Sequence, residues 1–256
     1  MDQRETPKKR KRNREMLLLL IVAGLVILLA IFMFYGAANS KSAKEAAYGI
    51  KRITYTVSAI VQDSLSGEKS SSLLILVNKT HAVGESYVPE QLIQLQSVAT
   101  DRDEKYQSMV PEAAEAFENL CDGAADSGYE IVCTTAYRPY EYQKKLYDSY
   151  VSGKGQGYAN MYSARPGESE HQTGLAVDVS SPSVDYRLES RFGDTEEGKW
   201  LAEHCAGYGF ILRYPEGKEE ITGYAYEPWH IRYVGILAAA EIMDKGITLE
   251  EYLGQQ

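Results

Sequence analysis

The 256-residue chain holds only three cysteines, Cys121, Cys133 and Cys205, and no CxxC pair. That excludes a disulfide-dense scaffold and a thiolate zinc finger. The three thiols read as free and buried. Basic charge is also short, with 27 Lys and Arg against 36 Asp and Glu and a formal net charge of −9. A nucleic-acid partner would require a basic face, so that class is excluded. Phenylalanine is scarce, 5 residues against 20 tyrosines, an imbalance that composition alone does not explain. The 44% apolar and 25% charged residues are the proportions of a globular chain, neither disordered nor collagen-like. There is no internal repeat and no low-complexity block.

The acidic balance is uneven along the chain. Residues 1–15 carry seven Lys/Arg and three acids, giving +4, and the remaining 20 basic and 33 acidic residues give −13. Directly after the basic run, Met16 to Tyr35 is apolar and uncharged, with Gly24 as a weak breaker. Twenty residues at 1.5 Å each span about 30 Å, the hydrocarbon thickness of a bilayer. The stretch therefore reads as a single transmembrane anchor at 16–35. Its basic tail, 1–15, stays cytoplasmic and the acidic bulk lies outside. The small residues Gly36-Ala37-Ala38 leave signal-peptide cleavage as the alternative, although such apolar cores are usually shorter, about 7–15 residues. Residues 36–72 read as a stalk, with a short alternating strand at Ile53–Val57. Asn78-Lys79-Thr80 fits an N-glycosylation pattern and reads as chance.

The remaining residues, 73–256, read as one domain. Leu73–Val77 is expected as a strand. Ala113, Phe117, Leu120, Cys121 and Ala124 recur at helical spacing and predict a helix over 110–128, with Pro111 in its first turn and Gly128 at its end. A strand follows over 129–135 and a helix over 140–151, stopped by Gly153. Leu175–Val179 is a strand, Asp194 and Glu197 suggest a capping box, and 208–214 and 230–234 are strands. Helices are expected over 236–244 and 248–253. Helices and strands mix without a regular βαβ period, which predicts an α+β domain: a small antiparallel sheet flanked by helices.

Three polar clusters carry the chemistry. In Ser169-Glu170-His171-Gln172-Thr173-Gly174-Leu175-Ala176-Val177-Asp178, seven positions separate His171 from Asp178. That spacing is too long for a helical ligand pair, but a turn running into a strand can aim both side chains at one point. On that strand Asp178 points away from Leu175, Val177 and Val179, beside the small Ala176 and Ser180. In Glu227-Pro228-Trp229-His230, Pro228 biases Glu227 toward extended backbone. His171, Asp178 and His230 make a two-nitrogen, one-oxygen set with a fourth position open, the pattern of catalytic zinc sites. Glu227 is left as a nearby carboxylate, the general base that metal-assisted hydrolysis requires. Arg138, in Thr134-Thr135-Ala136-Tyr137-Arg138-Pro139-Tyr140, ends a strand and offers a donor fork for a carboxylate or a developing oxyanion. Gln143, five residues on, falls in the first turns of the next helix and faces the same cleft. His81 and His204 stand alone and read as structural.

Taken in order, Thr135-Ala136-Tyr137-Arg138-Pro139, Ser169-x-His171-x-x-Gly174-x-Ala176-x-Asp178 and Glu227-Pro228-Trp229-His230 resemble the VanY-like zinc D-alanyl-D-alanine carboxypeptidases and the related L,D-carboxypeptidases of bacterial cell walls. The likeness runs from about Leu73 to the C-terminus. It includes Leu76-Val77-Asn78-Lys79 and Arg213-Tyr214-Pro215-Glu216-Gly217-Lys218. The resemblance implies one zinc per chain on His171, Asp178 and His230, with Glu227 as base. It implies that Arg138 stabilises the oxyanion or holds the terminal carboxylate, and that Gln143, Ser169 and Tyr214 contact substrate. The implied reaction is removal of the C-terminal D-alanine from peptidoglycan stem peptides by a membrane-anchored, extracellular domain. The alternatives are an L,D-carboxypeptidase acting on tetrapeptide stems and a non-catalytic wall-peptide-binding module. An intact Glu227 argues against the last, since a binder has no use for a base.

Overall fold

A computed structural model describes residues 72–99 and 103–255, together with Gly24. The expected anchor (16–35), stalk (36–72) and strand at Ile53–Val57 lie, but for Gly24 and Ser72, outside the described residues. No helix among the described residues is long and apolar enough to cross a membrane. The chain divides into units 1–69 and 70–256, and the second carries the fold described below.

That unit is an α+β domain. Its main sheet has four strands in the order β3 (Val132–Thr135), β4 (Ala176–Ser180), β6 (Glu227–Tyr233), β5 (Phe210–Tyr214). Every neighbouring pair is antiparallel. A second, two-stranded sheet pairs β1 (Ile93–Gln94) with β2 (Ser108–Met109). The helices are α1 (Pro111–Asp126), α2 (Tyr140–Lys154), α3 (Gln156–Tyr162), α4 (Glu196–His204), α5 (Glu219–Thr222), α6 (Ile236–Lys245) and α7 (Leu249–Tyr252).

Period-two alternation divides the sheet's two faces. Cys133, Val177, Val179, Phe210 and Ile231 are buried on one face, where Phe117 of α1 meets Phe210 edge-on at 6.4 Å. The other face carries Asp178 opposite His230 and Ala176 opposite Arg232. The central pair β4–β6 therefore sets the polar centre, and the apolar face anchors it to α1. A separate apolar cluster of Ile211, Val234, Ala239, Ile242 and Leu249 is covered by Leu74 and Leu76.

Three sequence expectations are corrected. Leu73–Val77 forms no strand. The carbonyls of Leu73 and Ile75 accept from Arg232 Nη2 at 2.9 and 2.8 Å, so a distant guanidinium takes the place of a ladder partner. The helix expected to stop at Gly153 runs on to Lys154, and the chain turns at Gly155, whose φ is 87°. A helical glycine costs only about 1 kcal/mol, too little to end a helix by itself. The cap of α4 is Thr195 rather than Asp194: its hydroxyl accepts from Gly198 N at 3.0 Å.

The strands expected over 129–135 and 208–214 begin only at Val132 and Phe210, the second after a 3-10 turn over Cys205–Tyr208. Cys121, Cys133 and Cys205 are free and buried. Asn78 is 5% exposed and its amide donates to Glu250 at 3.0 Å, so this side chain is a structural tie rather than a surface acceptor.

Candidate metal centre

His171 lies on a single 3-10 turn, Glu170–Thr173, that leads into β4. The turn ends at Gly174, in the left-handed region at φ 68°. A side chain there would also press on Leu92, 3.0 Å from an added Cβ, so only glycine turns the chain comfortably into the strand. Four residues later β4 delivers Asp178. Its partner position across the ladder is His230 of β6. The loop after β3 is tied to the turn in both directions: Arg138 N donates to His171 O at 3.1 Å, and His171 Nδ1 donates to Ala136 O at 2.6 Å.

One ligand atom each from His171, Asp178 and His230 falls within 4.8 Å of the others, and all three residues are buried. His171 Nε2 stands 3.2 Å from Asp178 Oδ2, and His230 Nδ1 stands 2.9 Å from Asp178 Oδ1. The rings cross edge-on at 4.9 Å. With the Nδ1 proton of His171 given to Ala136 O, its Nε2 carries a lone pair toward the cluster. On His230 the roles are exchanged: Nδ1 faces Asp178, while Nε2 lies 3.5 Å from Glu170 Oε2. A ligand histidine normally has its other nitrogen directed at a carbonyl or carboxylate oxygen, as both rings do here. The donor set therefore fits a tetrahedral dication with one open position.

The electrostatics agree with that fit. Burial resists ionisation of Asp178, but His171 and His230 outweigh it and hold the carboxyl well below its ordinary range. Burial, with Arg138 nearby, pulls His171 down. His230 moves the other way, to about 9, because its bonds to Asp178 and Glu170 overcome burial. A cation binding there displaces a proton from His230.

Glu227 reaches this cleft through an irregularity. Leu212 pairs with Ile231 and Tyr214 with Glu227, so two steps along β5 match four along β6. Strict alternation would set Glu227 and His230 on opposite faces, and a bulge of this kind re-aims a side chain. Glu227 is partly buried, and among the described residues no hydrogen bond or ion pair holds its carboxylate. Burial pushes its carboxyl up to about 7, with His230 and Arg138 opposing the rise and Asp178 adding to it.

The sign of the resulting pH effect follows. In the metal-free protein the folded state keeps a proton that the unfolded chain gives up near 4.5. Between those values the folded state binds more protons, so stability falls as pH rises. Metal-free Glu227→Gln is expected to exceed metal-free wild type in stability by about 1–3 kcal/mol above pH 7, and to match it below pH 4.5. Denaturant unfolding at both ends checks this, and an equal gap at both would contradict it.

Arg138 donates Nη1 to Gln143 Oε1 at 2.9 Å and sets Nη2 3.7 Å from Asp178, while its buried Nε has no partner among the described residues. Gln143, expected to contact substrate, is buried with its amide fully engaged. Its nitrogen donates to Ser163 Oγ at 3.2 Å and to Ala164 O at 2.6 Å. Its Oε1 holds the Arg138 fork. Tyr214 packs its ring 4.8 Å from that of His230. Ser169 is buried at the start of the His171 turn. His81 and His204 bond locally, to Asn78 and to the Trp200 carbonyl, away from the cluster.

Sequence reasoning missed the charged group behind His230. Glu170 Oε1 accepts from Arg213 Nε and Arg232 Nη1, both at 2.7 Å, and none of the three side chains has any exposure. Arg213 also grips Glu250 with two nitrogens, at 2.9 and 2.6 Å. The available signal is Arg213 and Arg232, charged positions on strands whose alternation marks them as buried.

With this geometry in view, the comparisons with known proteins are specific. Residues 106–236 match the family model described as VanY, D-alanyl-D-alanine carboxypeptidase. A Bacillus subtilis (strain 168) protein, YodJ, named as a carboxypeptidase, is 46% identical over 187 residues, covering 72% of this chain and 68% of its own length. The solved LdcB LD-carboxypeptidase superposes with a TM-score of 0.69 at 44% identity, covering 73% of this chain and 87% of that one. A vancomycin-resistance D,D-pentapeptidase VanY, solved in complex with Zn(II), superposes with a TM-score of 0.60 at 34% identity, covering 71% and 99%.

Proposed function

We propose, for a chain that belongs to the VanY family of D-alanyl-D-alanine carboxypeptidases, that His171, Asp178 and His230 hold one zinc ion and that the cleft around it trims peptidoglycan stem peptides. The protein is a cell-wall carboxypeptidase, and its reaction is removal of the C-terminal D-alanine. The observation that carries this reading is the convergence of three buried ligand atoms within 4.8 Å, each histidine having its other nitrogen directed at an oxygen.

When bound, zinc supplies a Lewis acid that polarises the scissile carbonyl and acidifies water. Glu227, whose unengaged carboxylate titrates at about 7 before metal binds, takes the proton of the attacking water and passes it to the leaving amine. A nearby dication favours its ionised form. Arg138 presents its guanidinium to the anion of the substrate, the terminal carboxylate or the developing oxyanion. Gln143 acts through Arg138 by holding the fork in place. Ser169 and Tyr214 flank His171 and His230 and supply the wall of the cleft.

Residues 1–15 and 16–35 support a single-pass anchor with a cytoplasmic N-terminus. Residues 36–72 then act as a stalk that carries the catalytic domain, 73–256, outside a bacterial cell membrane. A second reading, cleavage of the L,D bond of tetrapeptide stems, is favoured by the likeness to the LdcB LD-carboxypeptidase. One assay separates these points. The zinc-loaded full chain and a chain beginning at residue 73 are each incubated with stem pentapeptide and tetrapeptide, and the products are weighed. Both chains should remove one alanine from the pentapeptide, and only the full chain should sediment with membranes. Trimming of the tetrapeptide alone would transfer the assignment to the L,D bond. No cleavage of either would sink it, and equal sedimentation of both chains would remove the anchor.

A further inference from the structure

The zinc assignment, on which this inference rests, requires His230 to offer Nδ1. Nothing in the imidazole itself selects that nitrogen, since a free ring exchanges its proton between the two. The selecting group must act at Nε2, and Glu170 is placed there, with its Oε2 3.5 Å away. Both atoms are buried, and neither has a hydrogen-bond partner among the described residues. The other oxygen of Glu170 is clamped by two guanidinium nitrogens at 2.7 Å, from Arg213 and Arg232. These arginines are themselves fixed. Arg213 holds Glu250, and Arg232 holds the carbonyls of Leu73 and Ile75. The carboxylate therefore has a single rotamer and one free oxygen, and that oxygen faces the ring.

We infer that Glu170 is the positioning residue of the metal site: it accepts the Nε2 proton of His230 and so reserves Nδ1 for the metal. The clamp draws on residues at both ends of the domain, Leu73, Ile75 and Glu250, all outside the 106–236 span of the family model. Glu170 touches neither substrate nor metal and works only through the ring.

Glu170→Gln tests this in the full chain. The carboxamide keeps the volume and one acceptor for the two arginines, so its NH₂ must face His230. Donating to Nε2, it drives the ring proton onto Nδ1, where it competes with the metal. Zinc affinity, read by chelator competition, is expected to fall by about 10–100-fold, with a changed visible spectrum of the cobalt-substituted protein. Glu250→Gln loosens the same arginine without touching His230. It should lower unfolding stability and lower zinc affinity by less than Glu170→Gln does. Wild-type zinc affinity in Glu170→Gln would overturn the inference, as would an equal loss of zinc in Glu250→Gln.

A measurement on the wild type decides the matter even when the variant does not fold. Nitrogen-15 spectra of the zinc-loaded, histidine-labelled chain should show His230 protonated at Nε2 and metal-bound at Nδ1, and the reverse assignment would overturn the inference. A wild-type chain that binds no zinc would overturn both this inference and the metal site. Zinc bound equally well by wild type and Glu170→Gln would overturn this inference alone.

Discussion

Glu227→Ala is expected to lower release of the terminal D-alanine by roughly 10²–10⁴-fold, the usual contribution of a general base, while the purified protein keeps its zinc. The two halves of that result come from different parts of the structure. The three ligand atoms belong to His171, Asp178 and His230, and Glu227 makes no hydrogen bond to any of them. Removing its carboxylate therefore leaves the ligand set intact. What is lost is a partly buried carboxylate in the cleft that no neighbour among the described residues engages, and that burial pushes up to about 7. Asp178 cannot replace it, because His171 and His230 hold it ionised and occupied. Steady-state turnover together with elemental analysis reads both halves. Near-normal turnover would remove Glu227 from the mechanism, and zinc loss would make it a ligand.

His171→Ala should give the opposite pattern, in which metal and activity are lost together. Loss of Nε2 cuts the ligand set from three to two, and affinity should fall by more than the 10–100-fold that follows from losing a supporting partner. The substitution also orphans a buried carbonyl, Ala136 O, which accepts from His171 Nδ1 at 2.6 Å. Some loss of stability in the metal-free protein accompanies it, since an unsatisfied buried polar group costs about 1–3 kcal/mol. Retention of zinc at wild-type affinity would mean that the ion sits elsewhere.

How far the sequence could be read depended on the range of the interactions involved. Strands β4 and β5 and helices α1 and α6 were legible because alternation, helical spacing and glycine stops are local signals. The grouping of His171 with Asp178 was legible because the turn at Gly174 and the strand after it bring them together within a few residues. The errors arose where distant residues decide. Leu73–Val77 looks like a strand until Arg232, 159 positions away, claims its carbonyls. Nothing near Gln143 in sequence announces Ser163 and Ala164 as its hydrogen-bond partners. Glu170 stood inside a recognised motif without a role, since its arginines come from two other strands. Part of the tyrosine excess is also placed: Tyr214 lies between His230 and Tyr224, at 4.8 and 4.7 Å.

Metal content measured side by side in wild type, Glu227→Ala and His171→Ala decides whether His171, Asp178 and His230 hold one zinc ion beside a base that is not a ligand. Wild type and Glu227→Ala should each hold one zinc per chain, and His171→Ala none. Equal zinc in wild type and His171→Ala, or none in wild type, would contradict it.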